Sequence, residues 1–273
     1  MIEKDLFKRH LNIDISVATI GINRDDWYCH KPGMTKAEVK KAMLHYGFDV
    51  VPIINKAGVF SKYFSLKEGK AELEINSIES EDTLYYLTHV RDAVWKMKFN
   101  KRTHYFLTNG RDDNEICGLL SLSNFNCREF SVYVFSILAY IELELANLIE
   151  SERERAFEIL RNYSHSKDLL KQMEIIETRY NDDKQRNNEN DYKEYLYLHH
   201  LITLVKYEKT YRKLEYRKSD DFERGTSGLK QLRNQIAHPV KSLVRNLQDL
   251  DNLDMALNKL YELKERIDKY LKL

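Results

Sequence analysis

The spacing of apolar residues changes near residue 127, and this change constrains the fold more than any other feature of the sequence. Before it, short apolar runs such as Val50–Ile54 alternate with stretches of helical spacing, which is typical of helix and strand units. After it, apolar residues recur every third or fourth position, which is typical of amphipathic helices. The 273 residues include only nine glycines and three prolines, which favours a helix-rich chain. We therefore predict an α/β domain at residues 1–126 and an all-α helical bundle at 127–273.

Two similar units follow one another in the first half. In the first, Thr35 can cap a helix that ends at Gly47, and two strands separated by a turn follow. The second unit repeats this order, which indicates an internal repeat. The predicted helix and strands are 35–46, 50–54 and from 59 in the first unit, and about 83–99, 104–107 and 116–121 in the second.

The two units share a short motif at the start of the second strand, Gly58-Val59-Phe60-Ser61 and Gly118-Leu119-Leu120-Ser121. This arrangement resembles the tandem CBS-domain module, whose paired units form a cleft for adenine nucleotides. That family often carries an aspartate three residues after the serine, where it holds the ribose hydroxyls. Here Phe64 and Asn124 stand at the two aspartate positions. The resemblance implies that Ser61, Ser121 and Asn124 bind an adenine nucleotide as a regulatory ligand. The alternative is a dimerisation module without a ligand.

The second half is predicted to contain about five helices. The fourth is short and can be capped by Thr226 or Ser227. The predicted helices cover about 130–148, 152–180 with a break near 164–166, 191–216, 231–238 and 250–271. Polar loops are predicted at 181–190 and 219–228.

The short fourth helix carries Arg233-Asn234-Gln235-Ile236-Ala237-His238, followed by Pro239. On a helix, Asn234 and His238 share one face, and the long side chain of Arg233 can reach the same anion. Pro239 disfavours helical geometry at His238, so the helix is predicted to end there. A histidine at a helix C-terminus is favoured in its protonated form, which suits acid–base chemistry.

This motif in an all-helical setting resembles the HEPN family, in which R-x(4–6)-H marks metal-independent ribonucleases. The resemblance implies an endoribonuclease that cuts single-stranded RNA, with the RNA 2′-hydroxyl as nucleophile and a 2′,3′-cyclic phosphate as product. His238 would move protons, Arg233 would stabilise charge on the phosphorane-like transition state, and Asn234 would orient the phosphate or the histidine. The family's composite cleft implies a homodimer. Neither a metal nor another cofactor is required for catalysis.

A basic stripe is the best local candidate for an RNA-binding surface. Lys206, Lys209 and Lys213 share one face of the helix predicted at 191–216, and tyrosines are interleaved with them. The alternative is a solvated helix face. Arg24 and His30 satisfy the loose form of the catalytic motif, but they fall in a predicted loop, and we interpret this match as chance.

Two other polar pairs receive structural interpretations. Adjacent side chains on a helix diverge, so His199 and His200 are predicted to pack rather than to bind a metal. Glu142 and Glu144 interrupt the most apolar predicted helix, which indicates a dimer contact or a salt link between helices.

The charge balance limits the range of partners. There are 44 basic and 43 acidic side chains, a net charge of +1. A protein that binds nucleic acid over a broad surface is usually more basic, so we expect local RNA contacts and no DNA binding. The three cysteines are an odd number and favour a reducing compartment. The apolar run at 130–141 is shorter than a membrane span, and the N-terminus has no apolar signal core, so we expect a cytoplasmic protein without a membrane contact.

Two other functions remain open. The chain could be a non-catalytic dimer that senses a nucleotide or acts as a scaffold. It could also be the toxin half of a toxin–antitoxin pair, silenced by a separate partner.

Overall fold

The computed structural model describes residues 14–66, 72–110, 115–163, 167–186, 188, 190–237 and 242–272. These residues divide into two compact units. An α/β unit contains Asp14–Phe130 and Ser242–Asp254, and a helical unit has its main segments at 131–241 and 255–273. The chain is therefore mixed α/β with a helical C-terminal part. The segment Ser242–Asp254 belongs to the α/β unit, although it follows most of the helical residues in sequence.

In the part that the structure describes, the α/β unit contains three α-helices, the start of the last helix of the chain, and two small sheets. The elements are α1 Val17–Ile20, β1 Ile22–Asn23, α2 Lys36–Tyr46, β2 Val50–Ile54, β3 Phe60–Leu66, β4 Leu73–Ser77, β5 Thr83–Tyr85, α3 Val90–Phe99, β6 His104–Thr108 and β7 Ile116–Ser121. One sheet has the order β1-β7-β6-β5, in which β5 runs parallel to β6, and the other has the antiparallel order β2-β3-β4.

Local sequence signals explain the first repeat unit. The Thr35 hydroxyl accepts a hydrogen bond from the Glu38 N–H, and the Glu38 carboxylate accepts one from the Thr35 N–H. Gly47 ends α2 with a φ of 71°, a conformation that favours glycine. The side chain of Asn55 accepts hydrogen bonds from two backbone N–H groups in the β2–β3 turn. The predicted helix–strand–turn–strand order is confirmed here, and the second unit repeats it with α3, β6 and β7.

The predicted helix at 83–99 is wrong in its first half. Thr83–Tyr85 forms β5, which pairs with Phe106–Thr108 of β6. The helix begins only at Val90, after the His89 ring accepts a hydrogen bond from the Arg91 N–H. Pairing with a strand more than twenty residues away therefore overrides the local helical pattern.

Two sets of polar contacts attach residues 242–254 to the rest of the α/β unit. The side-chain amide of Asn126 donates to the Val244 carbonyl and accepts from the Val244 N–H. The ammonium of Lys98 lies 2.8 Å from a carboxylate oxygen of both Asp251 and Asp254. These bonds join residues distant in sequence, so no local pattern indicates this placement.

The remaining helices begin with α4, which starts at the end of the α/β unit. They are α4 Arg128–Leu148, α5 Arg153–Tyr163, α6 Lys167–Gln185, α7 Leu198–Glu208, α8 Ser219–Thr226, α9 Leu229–Ala237 and α10 Leu247–Lys272. The loop predicted at 219–228 is wrong over α8, which forms because its apolar residue Phe222 is fully buried. The break predicted at 164–166 falls outside the described residues.

The helix predicted at 191–216 is instead three shorter pieces. A 3₁₀ turn at Tyr192–Tyr195 precedes α7, and a second one at Thr210–Leu214 follows it. Lys209 and Glu215 have φ values of 62° and 61°, so each ends the preceding helical piece.

Helix α4 is long and apolar enough to cross a membrane when judged by length and composition alone. Its 21 residues exceed the run at 130–141 on which the sequence expectation was based. Many of its apolar side chains are buried in the protein, including Val134, Ile141 and Leu145. A core helix of a soluble protein has the same pattern, so α4 gives only weak evidence for a membrane span.

Candidate functional site

The described part of the arginine–histidine motif lies on α9. Arg233 is partly buried, with 27% of its side chain exposed, whereas Asn234 is exposed. Ile236 points into the core and fixes which face of α9 is buried. His238 lies outside the described residues, so its approach to Arg233 stays a prediction.

Arg233 forms an ion pair with Glu142 on α4. The guanidinium Nε lies 3.5 Å from Oε1 of Glu142, whose side chain is 23% exposed. Burial raises the pKa of the Glu142 carboxyl, and the charge of Arg233 and a hydrogen bond from the Leu198 N–H oppose this rise. The salt link between helices predicted for Glu142 is confirmed. Glu144 instead accepts a hydrogen bond from Asn147 on its own helix.

Two histidines at the start of α7 lie close to this pair. Their ring centroids are 3.8 Å apart, and His200 is 3% exposed. Burial lowers the pKa of His199 to about 4, helped by the positive charges of Lys230 and Arg233. Burial also lowers the pKa of His200 to about 3, helped by His199 and Lys230. Both rings are therefore neutral near pH 7, and Nδ1 of His200 accepts a hydrogen bond from a backbone N–H.

We call these residues the Arg233 cluster: Glu142, Tyr197, His199, His200, Lys230 and Arg233. Four of its buried polar atoms make no hydrogen bond within the described residues, namely Oε1 of Glu142, Nε2 of His199, Nε2 of His200 and Nε of Arg233. Unsatisfied buried polar atoms and displaced pKa values concentrate at functional sites, although structural ion pairs produce them too. The cluster unites a guanidinium, a carboxylate and neutral imidazoles, which are groups that can bind a phosphate and transfer protons.

The sequence alone indicates only part of the Arg233 cluster. His199 and His200 pack in the protein interior as predicted, but their ring centroids lie 3.8 Å apart rather than diverging, and the charge of Arg233 lowers the pKa of His199. Two signals were available: a histidine pair at a helix start and a glutamate inside the most apolar helix. Neither signal could show that α4, α7 and α9 meet at one point, because that depends on how the helices pack.

The predicted lysine stripe does not lie on one helix. Lys206 is in α7, Lys209 is the left-handed residue that ends it, and Lys213 is in the following 3₁₀ turn. Lys206 binds the carboxylate of Glu223 and Lys213 binds that of Glu150, whereas Lys209 is exposed. Their assignment to RNA binding stays a prediction, and two of the three ammonium groups are already paired.

A cavity of about 650 Å³ lies beside the β2–β3 turn in the α/β unit. This volume is within the range of about 300–1,000 Å³ that is typical of small-molecule sites. Ser61 lines it together with Ser80 and Thr83, which add hydroxyl groups. Arg24 lines it too, forms an ion pair with Glu115 and lies over the ring of Phe60.

The other two predicted nucleotide-binding residues do not line this cavity. Oδ1 of Asn124 accepts hydrogen bonds from the backbone N–H and the hydroxyl of Ser121, at 2.7 and 2.9 Å. The Asn124 amide also donates to the carbonyl of Ile20. These bonds connect the end of β7 with α1, so the structure brings Ser121 and Asn124 together but uses their polar groups internally.

A metal site would need several ligands at one place. Among the described ranges, no group of three or more histidine, cysteine, aspartate or glutamate side chains is arranged to hold a metal ion. The described structure therefore offers no candidate metal centre.

Comparisons with known proteins give little further information. No protein-family model matches the chain, and no curated protein matches it. A crystal structure of CBSX2 in complex with AMP matches 40% of this chain and 91% of its own chain. The sequence identity is 12% and the TM-score is 0.33. This similarity is weak and assigns neither a fold nor a ligand to this chain.

Proposed function

We propose that the chain is a metal-independent endoribonuclease whose α/β unit binds an adenine nucleotide that regulates it. The observation that supports the ribonuclease is the Arg233 cluster, in which the partly buried Arg233 pairs with Glu142 and its charge acts on His199, whose neutral ring lies against that of His200. A guanidinium in such a place can stabilise negative charge on a phosphate better than one in free solvent. The HEPN resemblance supplies the reaction, and the cluster supplies a site with suitable chemistry.

In the proposed reaction, Arg233 binds the phosphate through paired N–H donors. His238 transfers protons at the 2′-oxygen or the leaving 5′-oxygen, and Asn234 orients the phosphate or the histidine. The RNA 2′-hydroxyl attacks the adjacent phosphate, the bond to the 5′-oxygen breaks, and a 2′,3′-cyclic phosphate remains. The attack by a group of the substrate itself requires no metal-activated water. A homodimer would join two such sites into one cleft.

The test is cleavage of labelled single-stranded RNA by the purified protein in EDTA. We expect the wild type to leave 2′,3′-cyclic phosphate ends, and we expect His238→Ala and Arg233→Ala to lose this activity. His45→Ala changes an exposed histidine in the α/β unit and is the matched control, with activity retained. A wild type that does not cut, with or without added adenine nucleotides, would refute the ribonuclease.

The proposed nucleotide site is the cavity lined by Ser61. Its hydroxyl groups and the guanidinium of Arg24 suit ribose and phosphate, respectively. We expect AMP to bind the full chain in calorimetry and Ser61→Ala to weaken the binding. Ser77→Ala, which changes an exposed serine of β4 outside the cavity, is the control. Equal AMP affinity of Ser61→Ala and wild type would exclude Ser61 from the site.

A second candidate function is a non-catalytic nucleotide-sensing or scaffolding dimer. The ion pair between Glu142 and Arg233 favours it, because such a pair can also serve only to join two helices. In that case AMP would bind, RNA would stay intact, and Arg233→Ala would change stability alone. If the helical unit is a toxin instead, expression would slow growth, and His238→Ala would relieve the effect.

A further inference from the structure

We propose that Glu142 is a positioning residue that fixes the guanidinium of Arg233 for the RNA phosphate. This inference rests on the proposed ribonuclease function. It assigns a role to a residue of α4 that lies ninety-one positions before Arg233 and outside the arginine–histidine motif.

The first support is the geometry of the contact. Glu142 approaches Nε of Arg233 at 3.5 Å. An arginine side chain has five N–H donors, and four of these are on Nη1 and Nη2. An ion pair at Nε restricts where the guanidinium can lie and leaves the four terminal donors for a second anion such as a phosphate, two of whose oxygens can accept paired N–H bonds.

The second support is that Glu142 is itself held in place. The backbone N–H of Leu198, the first residue of α7, lowers the pKa of the Glu142 carboxyl and so favours its charged form. A carboxylate is favoured at this position because the N-terminus of a helix carries partial positive charge. Glu142 thus links α4, α7 and α9, and the guanidinium of Arg233 also faces the ring of Tyr197 at 6.0 Å.

The third support is the charge around the pair. His199 and His200 are neutral near pH 7 and do not compete with Arg233 for the carboxylate. Lys230 is exposed, and it adds positive potential beside Arg233. The local charge of Glu142, Lys230 and Arg233 is therefore +1, so the site still attracts an anion after Glu142 has paired with Arg233.

The first test is RNA cleavage by Glu142→Gln, which keeps the side-chain shape and removes the charge. We expect kcat to fall about 10- to 100-fold with little change in the KM for RNA, because a misplaced guanidinium stabilises the transition state poorly while the remaining contacts still bind substrate. Glu144→Gln, on the same helix but bonded to Asn147, is the matched control and should cleave normally. Circular dichroism would verify that both variants fold, and Glu142→Asp, which keeps the charge, should retain more activity than Glu142→Gln.

The second test is chemical rescue of Arg233→Ala. If Glu142 had a purely structural role, rescue would not depend on its charge. Arg233→Ala removes the side chain and leaves a space beside the Glu142 carboxylate. We expect added guanidinium ion at low millimolar concentration to restore part of the cleavage in Arg233→Ala. The same addition should fail in Arg233→Ala combined with Glu142→Gln, because the anchor for the ion is gone.

The outcomes separate the inference from the function on which it rests. If the wild type cleaves RNA and Glu142→Gln cleaves equally well, or if rescue is the same with and without Glu142, the positioning role is wrong and the ribonuclease stands. If the wild type does not cleave, the proposed function is wrong and the positioning role falls with it.

Discussion

Removing Arg233 tests the electrostatics of the Arg233 cluster without reference to any activity. Arg233→Met keeps an unbranched apolar stem and leaves Glu142 partly buried without its partner. Two unit charges 3.5 Å apart attract by about 5 kcal/mol at an effective dielectric constant of about 20. About a quarter of each side chain remains exposed, and solvent screening together with side-chain entropy reduces this figure. We therefore expect the variant to lose about 2 kcal/mol of unfolding free energy at pH 8.

The loss should depend on pH in a definite direction. Burial already raises the pKa of Glu142, and the loss of Arg233 removes an interaction that lowers it. A carboxyl group whose pKa is higher in the folded than in the unfolded state lowers the free energy of unfolding at high pH, where it must be charged in both states. This penalty is lost as the pH falls below the unfolded pKa of 4.5, where the group is protonated in both states. The difference between wild type and Arg233→Met should therefore shrink as the pH falls from 8 towards 4.5.

The assay is urea unfolding followed by circular dichroism at pH 8 and pH 5. Adding Glu142→Gln to Arg233→Met removes the unpaired charge, so the double variant should be more stable than Arg233→Met at pH 8. This difference in stability should shrink at pH 5, because only the Glu142 carboxyl distinguishes the two variants. A loss of stability that is equal at the two pH values, or a double variant that shows the sum of the two single losses, would refute the reasoning.

Three further predictions concern packing and titration elsewhere. Gly225→Ala should destabilise the protein by about 1–3 kcal/mol, because the new Cβ would lie 2.8 Å from the hydroxyl of Tyr216. Adding Tyr216→Phe should recover part of this loss in urea unfolding, since that hydroxyl is buried without a hydrogen bond among the described residues. Burial lowers the pKa of His104 to about 4 in the folded protein, so on acidification the unfolded chain binds a proton at His104 before the folded chain does. The free energy of unfolding should therefore fall between pH 6.5 and 4 by up to about 1.4 kcal/mol per pH unit. In His104→Asn the free energy of unfolding should fall less steeply over the same pH range. Asn124→Ala should cost about 1–3 kcal/mol, because it removes the bonds to Ser121 and Ile20, whereas an unchanged unfolding midpoint would show that these bonds contribute little.

Several elements of the fold were predictable because their causes are local. Thr35 and Gly47 delimit α2 through a capping box and a left-handed backbone conformation, and both depend on neighbouring residues. In each repeat unit, polar residues between two short apolar runs indicated the strand pair that follows the helix. The amphipathic periodicity after residue 127 likewise predicted helices, although the boundaries within 181–228 were wrong: α6 extends to Gln185 into the predicted loop.

Other elements depended on partners distant in sequence. Thr83–Tyr85 is a strand because Phe106–Thr108 pairs with it, and Ser242–Asp254 joins the α/β unit through bonds to Lys98 and Asn126. No local sequence pattern predicts such pairings, because their stabilising free energy comes from contacts that exist only after folding.

The candidate site likewise combines features that the sequence alone determines with features that depend on the tertiary structure. The sequence alone determined that Arg233 lies on a short helix late in the chain, that a glutamate interrupts the apolar face of α4, and that two histidines are adjacent. Only the tertiary structure decided that Glu142, His199, His200 and Arg233 meet. Side-chain burial and the distance between charges set the pKa values and the strength of the ion pair, and both quantities are fixed by the packing of helices rather than by the spacing of residues along the chain.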